Sequence, residues 1–269
     1  MDTDAASRLE ALIRDSGEAL PLDRAAAELA AAEQEGVDPA AILARLDALA
    51  QPIRIPEQAS PFEAIARINH HLFDTLGFAG DRTDYYAPRN SFLDQVLDRR
   101  KGLPILLSLL YVEVARRSGV TVRGVGFPGH FIVSPETEGE AWFVDPFHGG
   151  AIRRREQLLE RLDAMRLPRS QADDFLAPSS ARRILLRMTY NLKGSYVRLR
   201  RTRDALRQID RILLLDSDRA EEHRDRALLL IELNDAEGAI VALRRYLAAR
   251  PDADDAEPLA HLLAELEAG

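Results

Sequence analysis

Imidazole and carboxylate groups come together over a short stretch of this chain, at His130, Asp145 and His148. Such ligands suit zinc or iron, but their spacing is not diagnostic, so no metal and no other cofactor is expected. What the chain lacks bounds its chemistry further. It has no cysteine, which excludes disulfides, zinc–thiolate sites, iron–sulfur clusters and any thiol nucleophile. Of the 36 basic residues all but Lys101 and Lys193 are arginine, so Schiff-base chemistry has only those two places to occur. His70 and His71 are adjacent and face different directions on a helix, which makes them poor co-ligands. Tyr85, Tyr86, Asn90, Phe127 and Phe147 offer aromatic faces and an amide with which a cleft would grip an extended peptide.

The elements that must position these groups can be read in turn. The chain's 269 residues, 46% of them hydrophobic, suffice for one large domain or two modest ones. The first fifty residues read as alanine-rich helices, the last opened by Asp38-Pro39. After a proline-containing linker, Ser60-Pro61-Phe62-Glu63 has the form of a capping box. Ile65, Ile68, Leu72, Phe73 and Leu76 give the helix behind it an apolar stripe that Gly77 ends. Between Asp84 and Gly150 aromatic residues, glycines and prolines crowd together. There, residues 90–99 and 104–118 read as helices. Residues 120–125, 131–133 and 142–144 read as short strands, the last two separated by a polar turn from Glu136 to Glu140.

Beyond Pro168 the pattern is all helix and repeats. Tyr196, Ala205 and Ile209 are matched 34 residues later by Leu230, Ala239 and Leu243, the period of the tetratricopeptide unit, in which a small residue lets two helices approach closely. Residues 254–269 supply a further half-unit. Arginines crowd the start of this region, among them Arg198, Arg200, Arg201, Arg203 and Arg207, a local field that would attract an acidic partner within a chain of net charge −8. That acidic balance disfavours nucleic acid. With no apolar run long enough for a membrane span and no leader features in Met1-Asp2-Thr3-Asp4, a cytoplasmic location is expected.

The segment Gly102-Leu103-Pro104, Gly119, Arg123, Pro128-Gly129-His130 and Trp142-Phe143-Val144-Asp145-Pro146 resembles the core of transglutaminase-like, papain-related proteins. A narrower resemblance, to the SirB-type bacterial family, rests on Asn90-Ser91-Phe92-Leu93, Arg100-Lys101-Gly102-Leu103-Pro104-Ile105, Gly124-Val125-Gly126-Phe127-Pro128-Gly129-His130-Phe131 and Asp145-Pro146-Phe147-His148-Gly149-Gly150. That core also occurs in a eukaryotic F-box protein. The resemblance places His130 and Asp145 on the superfamily's catalytic histidine and aspartate, and Pro104 on its cysteine. A thiol at a helix start is activated by the helix dipole and a neighbouring imidazolium, whereas proline has no nucleophile and no N–H for an oxyanion. His130 and Asp145 are then a vestigial dyad. A working dyad would need a serine of the motif region, Ser91 or Ser108, or water as its third member. Ser108 lies one turn beyond Pro104 and faces the same side.

The expected architecture is α+β: a helical N-terminal region (1–59), a transglutaminase-like core with a small antiparallel sheet (60–168) and C-terminal tetratricopeptide-like repeats (169–269). The expected function is a non-catalytic interaction or regulatory protein that holds a protein or peptide segment. Tyr85, Tyr86, Asn90, Ser108, Phe127 and Phe147 are the candidate ligand-binding residues. The alternative is an acyl hydrolase or transferase built on His130 and Asp145.

Overall fold

The computed structural model describes residues 3–137, 139 and 141–268. Met1 and Asp2 of the start read above, and Glu138 and Glu140 of the turn between strands, lie outside the described residues. Two compact units divide between residues 188 and 189.

In the first unit, α1 (Thr3–Ser16), α2 (Leu22–Glu33) and α3 (Pro39–Ala50) form the helical leader. The alanines of α2 are buried as two runs, Ala25–Ala27 and Ala30–Ala32, because small side chains let α1, α3 and α5 (Leu93–Arg99) approach its backbone. Asp38 accepts a hydrogen bond from the Ala40 amide and Pro39 occupies the first turn of α3. The capping box is also present at α4 (Pro61–Asn69): Ser60 Oγ accepts from the Glu63 amide, and the Glu63 carboxylate accepts from the Ser60 amide at 2.8 Å. The apolar stripe then continues through one wider π-helical segment, His70–Thr75.

At the centre of the unit lies α6 (Pro104–Arg117), apolar on nearly every face and buried accordingly, from Pro104 through Ala115 with the exception of Val112. Two short parallel strands, β1 (Ala79–Gly80) and β2 (Lys101–Gly102), pin the approach to its first turn. Against α6 packs an antiparallel sheet of order β3 (Val122–Val125), β4 (Ile132–Pro135), β5 (Trp142–Asp145) and β6 (Ala151–Arg154). The three strands expected from sequence are there with edges moved by a residue or two. The fourth, β6, carries Ala-Ile-Arg-Arg with its one large apolar side chain, Ile152, 36% exposed, so it has no hydrophobic alternation to announce it. The helix expected over residues 90–99 begins instead as a tight 3₁₀ turn, Pro88–Ser91, with Phe92 as the break before α5. A second small core (Phe127, Ile132, Phe143, Leu158, Leu162) lies on the sheet's other side with α7 (Arg155–Ala164) and α8 (Ala172–Leu176).

The division between units falls within α9 (Ala181–Arg198). In the second unit, α10 (Thr202–Leu215), α11 (Ala220–Glu232), α12 (Ala236–Ala249) and α13 (Ala256–Ala268) stack in sequence. Ala205 and Ala239, the small residues of the repeat, are fully buried. Among the described residues no helix is long and apolar enough to cross a membrane.

Candidate functional site

Asp145 ends β5, and His130 stands just before β4, at the end of a turn in which its own amide donates to the Phe127 carbonyl at 3.0 Å. Because Val133 pairs with Val144, the antiparallel register carries the start of β4 beside the end of β5, and the two side chains meet. His130 Nε2 donates to Asp145 Oδ1 at 2.9 Å. A second imidazole completes the arrangement: His148 Nδ1 donates to Oδ2 at 2.8 Å, and the His148 amide caps onto Oδ1 at 3.3 Å across the one-turn helix Pro146–His148. Asp145 is fully buried, His130 nearly so, and the His148 side chain is 34% exposed. Burial alone would raise the Asp145 pKa, but the hydrogen bond and charge of His130, and then those of His148, hold it below the ordinary carboxylate value.

The three groups have ligand atoms within 4.8 Å of one another, so a donor set that sequence spacing left undecided is brought together. Each nitrogen facing Asp145 is nonetheless already in a hydrogen bond with one of its oxygens. A cation would have to take the place of two protons.

Pro104 occupies the first position of α6, and Leu103 before it donates its amide to the Asn90 carbonyl at 3.2 Å. One turn on, the buried Ser108 hydroxyl donates to the Phe131 carbonyl at 3.3 Å. That bond sets the first turns of α6 against the residue after His130, and it engages Ser108 with a carbonyl rather than with the imidazole. Ser91 is buried with a hydroxyl that has no partner among the described residues.

The remaining candidates separate into two groups. Tyr85, half-buried, lies edge-on to Phe147 at 6.0 Å, and Phe147 lies edge-on to His130 at 5.9 Å; the exposed Tyr86 leans on Tyr85. Of these rings only Phe147, itself buried, touches His130; Tyr85 reaches it through Phe147 and Tyr86 through Tyr85. Phe147 packs so closely over β1 that a Cβ at Gly80 would stand 2.5 Å from its ring. Asn90 is instead fully buried, its amide donating to the Asp84 carbonyl at 2.7 Å and accepting from Arg99 at 2.8 Å. Phe127 belongs to the small core under Arg161. Neither the Asn90 side chain nor the Phe127 ring is presented to a ligand. His70 pairs with Asp74 on the surface.

Sequence reading missed the group that holds the Tyr85 segment in place. Asp81, 2% exposed, accepts from the Thr83 amide and hydroxyl, the Asp84 amide and Arg99, whose other branch reaches Asn90. Burial opposes the charge, but these donors outweigh it and draw the Asp81 pKa down to about 2. A folded-state value below the ordinary 3.8 stabilises the fold fully above about pH 4, with loss as the pH falls toward 2. Asp81→Asn is expected to cost about 2 kcal/mol at neutral pH and to flatten that acid limb. Urea unfolding at several pH values measures both.

In the second unit the arginine run is divided. Arg201 and Arg207 both pair with Asp204, Arg201 also covers the Tyr196 ring, and Lys193 pairs with Glu222 and Asp225. Arg198, Arg200, Arg201 and Arg203 are exposed.

The profile described as the transglutaminase-like superfamily matches residues 40–190, and a tetratricopeptide-repeat profile matches residues 192–264. A UPF0162 protein of Xylella fastidiosa is 39% identical over 207 residues, 75% of this chain and 73% of that one. A UPF0162 protein of Pseudomonas aeruginosa is 30% identical over 251 residues, 91% and 90% of the two chains. The F-box only protein 21 of Mus musculus is 48% identical over 71 residues, 26% of this chain and 11% of its own. No solved structure matches.

Proposed function

The chain belongs to the transglutaminase-like superfamily and, within it, to the SirB-like UPF0162 proteins, and from that membership we propose a non-catalytic role in protein interaction. The observation that carries this reading is the state of the dyad. Both Asp145 oxygens are taken by imidazoles, the helix start offers Pro104 where a nucleophile would stand, and the Ser108 hydroxyl is engaged with the Phe131 carbonyl. A general base accelerates acyl transfer only when a reactive oxygen or sulfur is within hydrogen-bond reach. Among the described residues, no side-chain hydroxyl is hydrogen-bonded to the His130 ring. The rings of Tyr85 and Tyr86, backed by the buried Phe147, then serve as a surface that grips a protein segment. The repeats, a fold that generally mediates protein association, supply a second one at Arg198, Arg200, Arg201, Arg203 and Arg207 for an acidic partner in the cytoplasm.

A second reading draws on the 2.9 Å bond between His130 and Asp145: it fixes the imidazole as a general base does, and water would be the nucleophile of an acyl hydrolase. One experiment separates the two. The full chain, His130→Ala and Asp145→Ala are incubated with a panel of activated esters and peptide amides. Equal inertness of all three is expected. A wild-type rate above background that disappears in His130→Ala would overturn the non-catalytic reading.

A further inference from the structure

Arg187, in the same compact unit as His130, differs from other arginines of that unit. Arg99, Arg116 and Arg117 each face carboxylates. Arg187 is part-buried and, among the described residues, has no carboxylate within salt-bridge distance. Its Nη1 donates to the Phe127 carbonyl at a long 3.3 Å, the oxygen that also receives the His130 amide. Its guanidinium lies over the Phe131 ring, 5.4 Å from the centroid. Burial pushes its pKa below the ordinary arginine value, opposed only by the charge of the Tyr85 hydroxyl.

A guanidinium carries five N–H donors in a rigid planar fork, and the single carbonyl satisfies one of them. Contact with the Phe131 ring accounts for the position of the group and leaves the outward edge of the fork without an acceptor. None of its nitrogens is both buried and partnerless, so the donors left over are open to water, which a carboxylate can displace with a charge-assisted pair of bonds. The surroundings say where it would arrive. Tyr85 is near enough for its charge to act on Arg187, and its ring continues through Phe147 to His130. Arg187 and the His130 amide thus meet at one acceptor, the Phe127 carbonyl, with Tyr85 within electrostatic range.

We propose that Arg187 anchors a carboxylate of the bound protein segment, received by the guanidinium fork beside the Phe127 carbonyl that it shares with the His130 amide. A planar carboxylate matches that fork with two parallel hydrogen bonds. The carboxylate belongs to a chain terminus or to an acidic side chain. This inference rests on the reading of the cleft as a binding surface and names the chemical group it takes.

The test is an NMR titration of the ¹⁵N-labelled full chain, following the Arg187 Nε–Hε and His130 ring signals at constant ionic strength. The probes are N-acetylglycine for a terminal carboxylate, N-acetylaspartamide for a side-chain one, inorganic phosphate, and neutral N-acetylglycinamide. Saturable shifts with at least one carboxylate probe in the millimolar range, none with the neutral amide, and at least about tenfold weaker binding in Arg187→Gln are expected. Arg187→Lys, which keeps charge but loses the fork, should fall between. Two results would each overturn the proposal: no saturable shift in the wild-type chain with either carboxylate, or a response to phosphate alone. The wild-type titration needs no folded variant. Because it also needs neither partner nor turnover, its failure is separate from that of the non-catalytic reading, which the hydrolysis panel decides.

Discussion

Replacing Asp145 by alanine is expected to destabilise the first unit by about 3–5 kcal/mol, the range found when one member of a buried charged network is removed. The size follows from what is left behind. Two imidazoles lose their acceptor at once, His130 in a nearly solvent-free position, and the one-turn helix Pro146–His148 loses its cap. Asp145→Asn, which keeps one acceptor oxygen, should cost less. The pH dependence has a definite sign. The folded-state pKa of Asp145 is held below its ordinary value, so its stabilisation is complete above the usual carboxylate range and fades as the pH falls below it. Asp145→Ala therefore removes most of its stability at neutral pH and little in acid. The single tryptophan, Trp142, is in β5 and packs against Phe62 at 5.9 Å, so its fluorescence in urea reports this unit alone. A midpoint shift equivalent to less than about 1 kcal/mol would mean that the network is not holding the strands together.

The second large effect is expected at Gly150. This residue has φ +75°, donates its amide to the Asp145 carbonyl at 2.9 Å and accepts from Asn69 Nδ2 at 2.9 Å. A Cβ there would stand 2.6 Å from the Phe73 ring and 2.7 Å from the Asn69 side chain. Gly150→Ala combines about 1 kcal/mol of backbone strain with about 1–3 kcal/mol of overpacking, for a loss near 3 kcal/mol. Gly119→Ala separates the two contributions. Its φ is +77° but a Cβ there meets nothing within 4 Å, so only about 1 kcal/mol is expected. Equal losses in the two variants would show that Phe73 and Asn69 yield freely and that the segment beside the dyad is loosely packed.

How much of this was readable in the sequence depends on the kind of signal each residue carries. The capping box at Ser60, the proline start of α3 and the paired alanines of the repeats rest on local rules, and each is found in the structure. The meeting of His130 and Asp145 follows from the motif, because hairpin register translates sequence spacing into proximity. His148 carried a usable signal that spacing alone undersold: three residues after an aspartate, across a turn begun by proline, a side chain folds back onto the carboxylate. The two-residue strands β1 and β2 have no periodicity to detect, and β6 shows no apolar face. Arg187 was hidden by its company, since a run of arginines does not reveal which member lacks an acidic neighbour. The burial of Asn90 and Phe127 is hidden for the same reason: in sequence an amide or a ring looks alike whether it faces a ligand or its own fold.

The proline at the start of α6 has one more consequence. A cleft that depends on sulfur is silenced by peroxide or by alkylating electrophiles, which convert or cap the reactive thiolate. Here α6 opens on Pro104, in a chain with no cysteine anywhere. Thiolate oxidation and thiol alkylation therefore have no target in this chain.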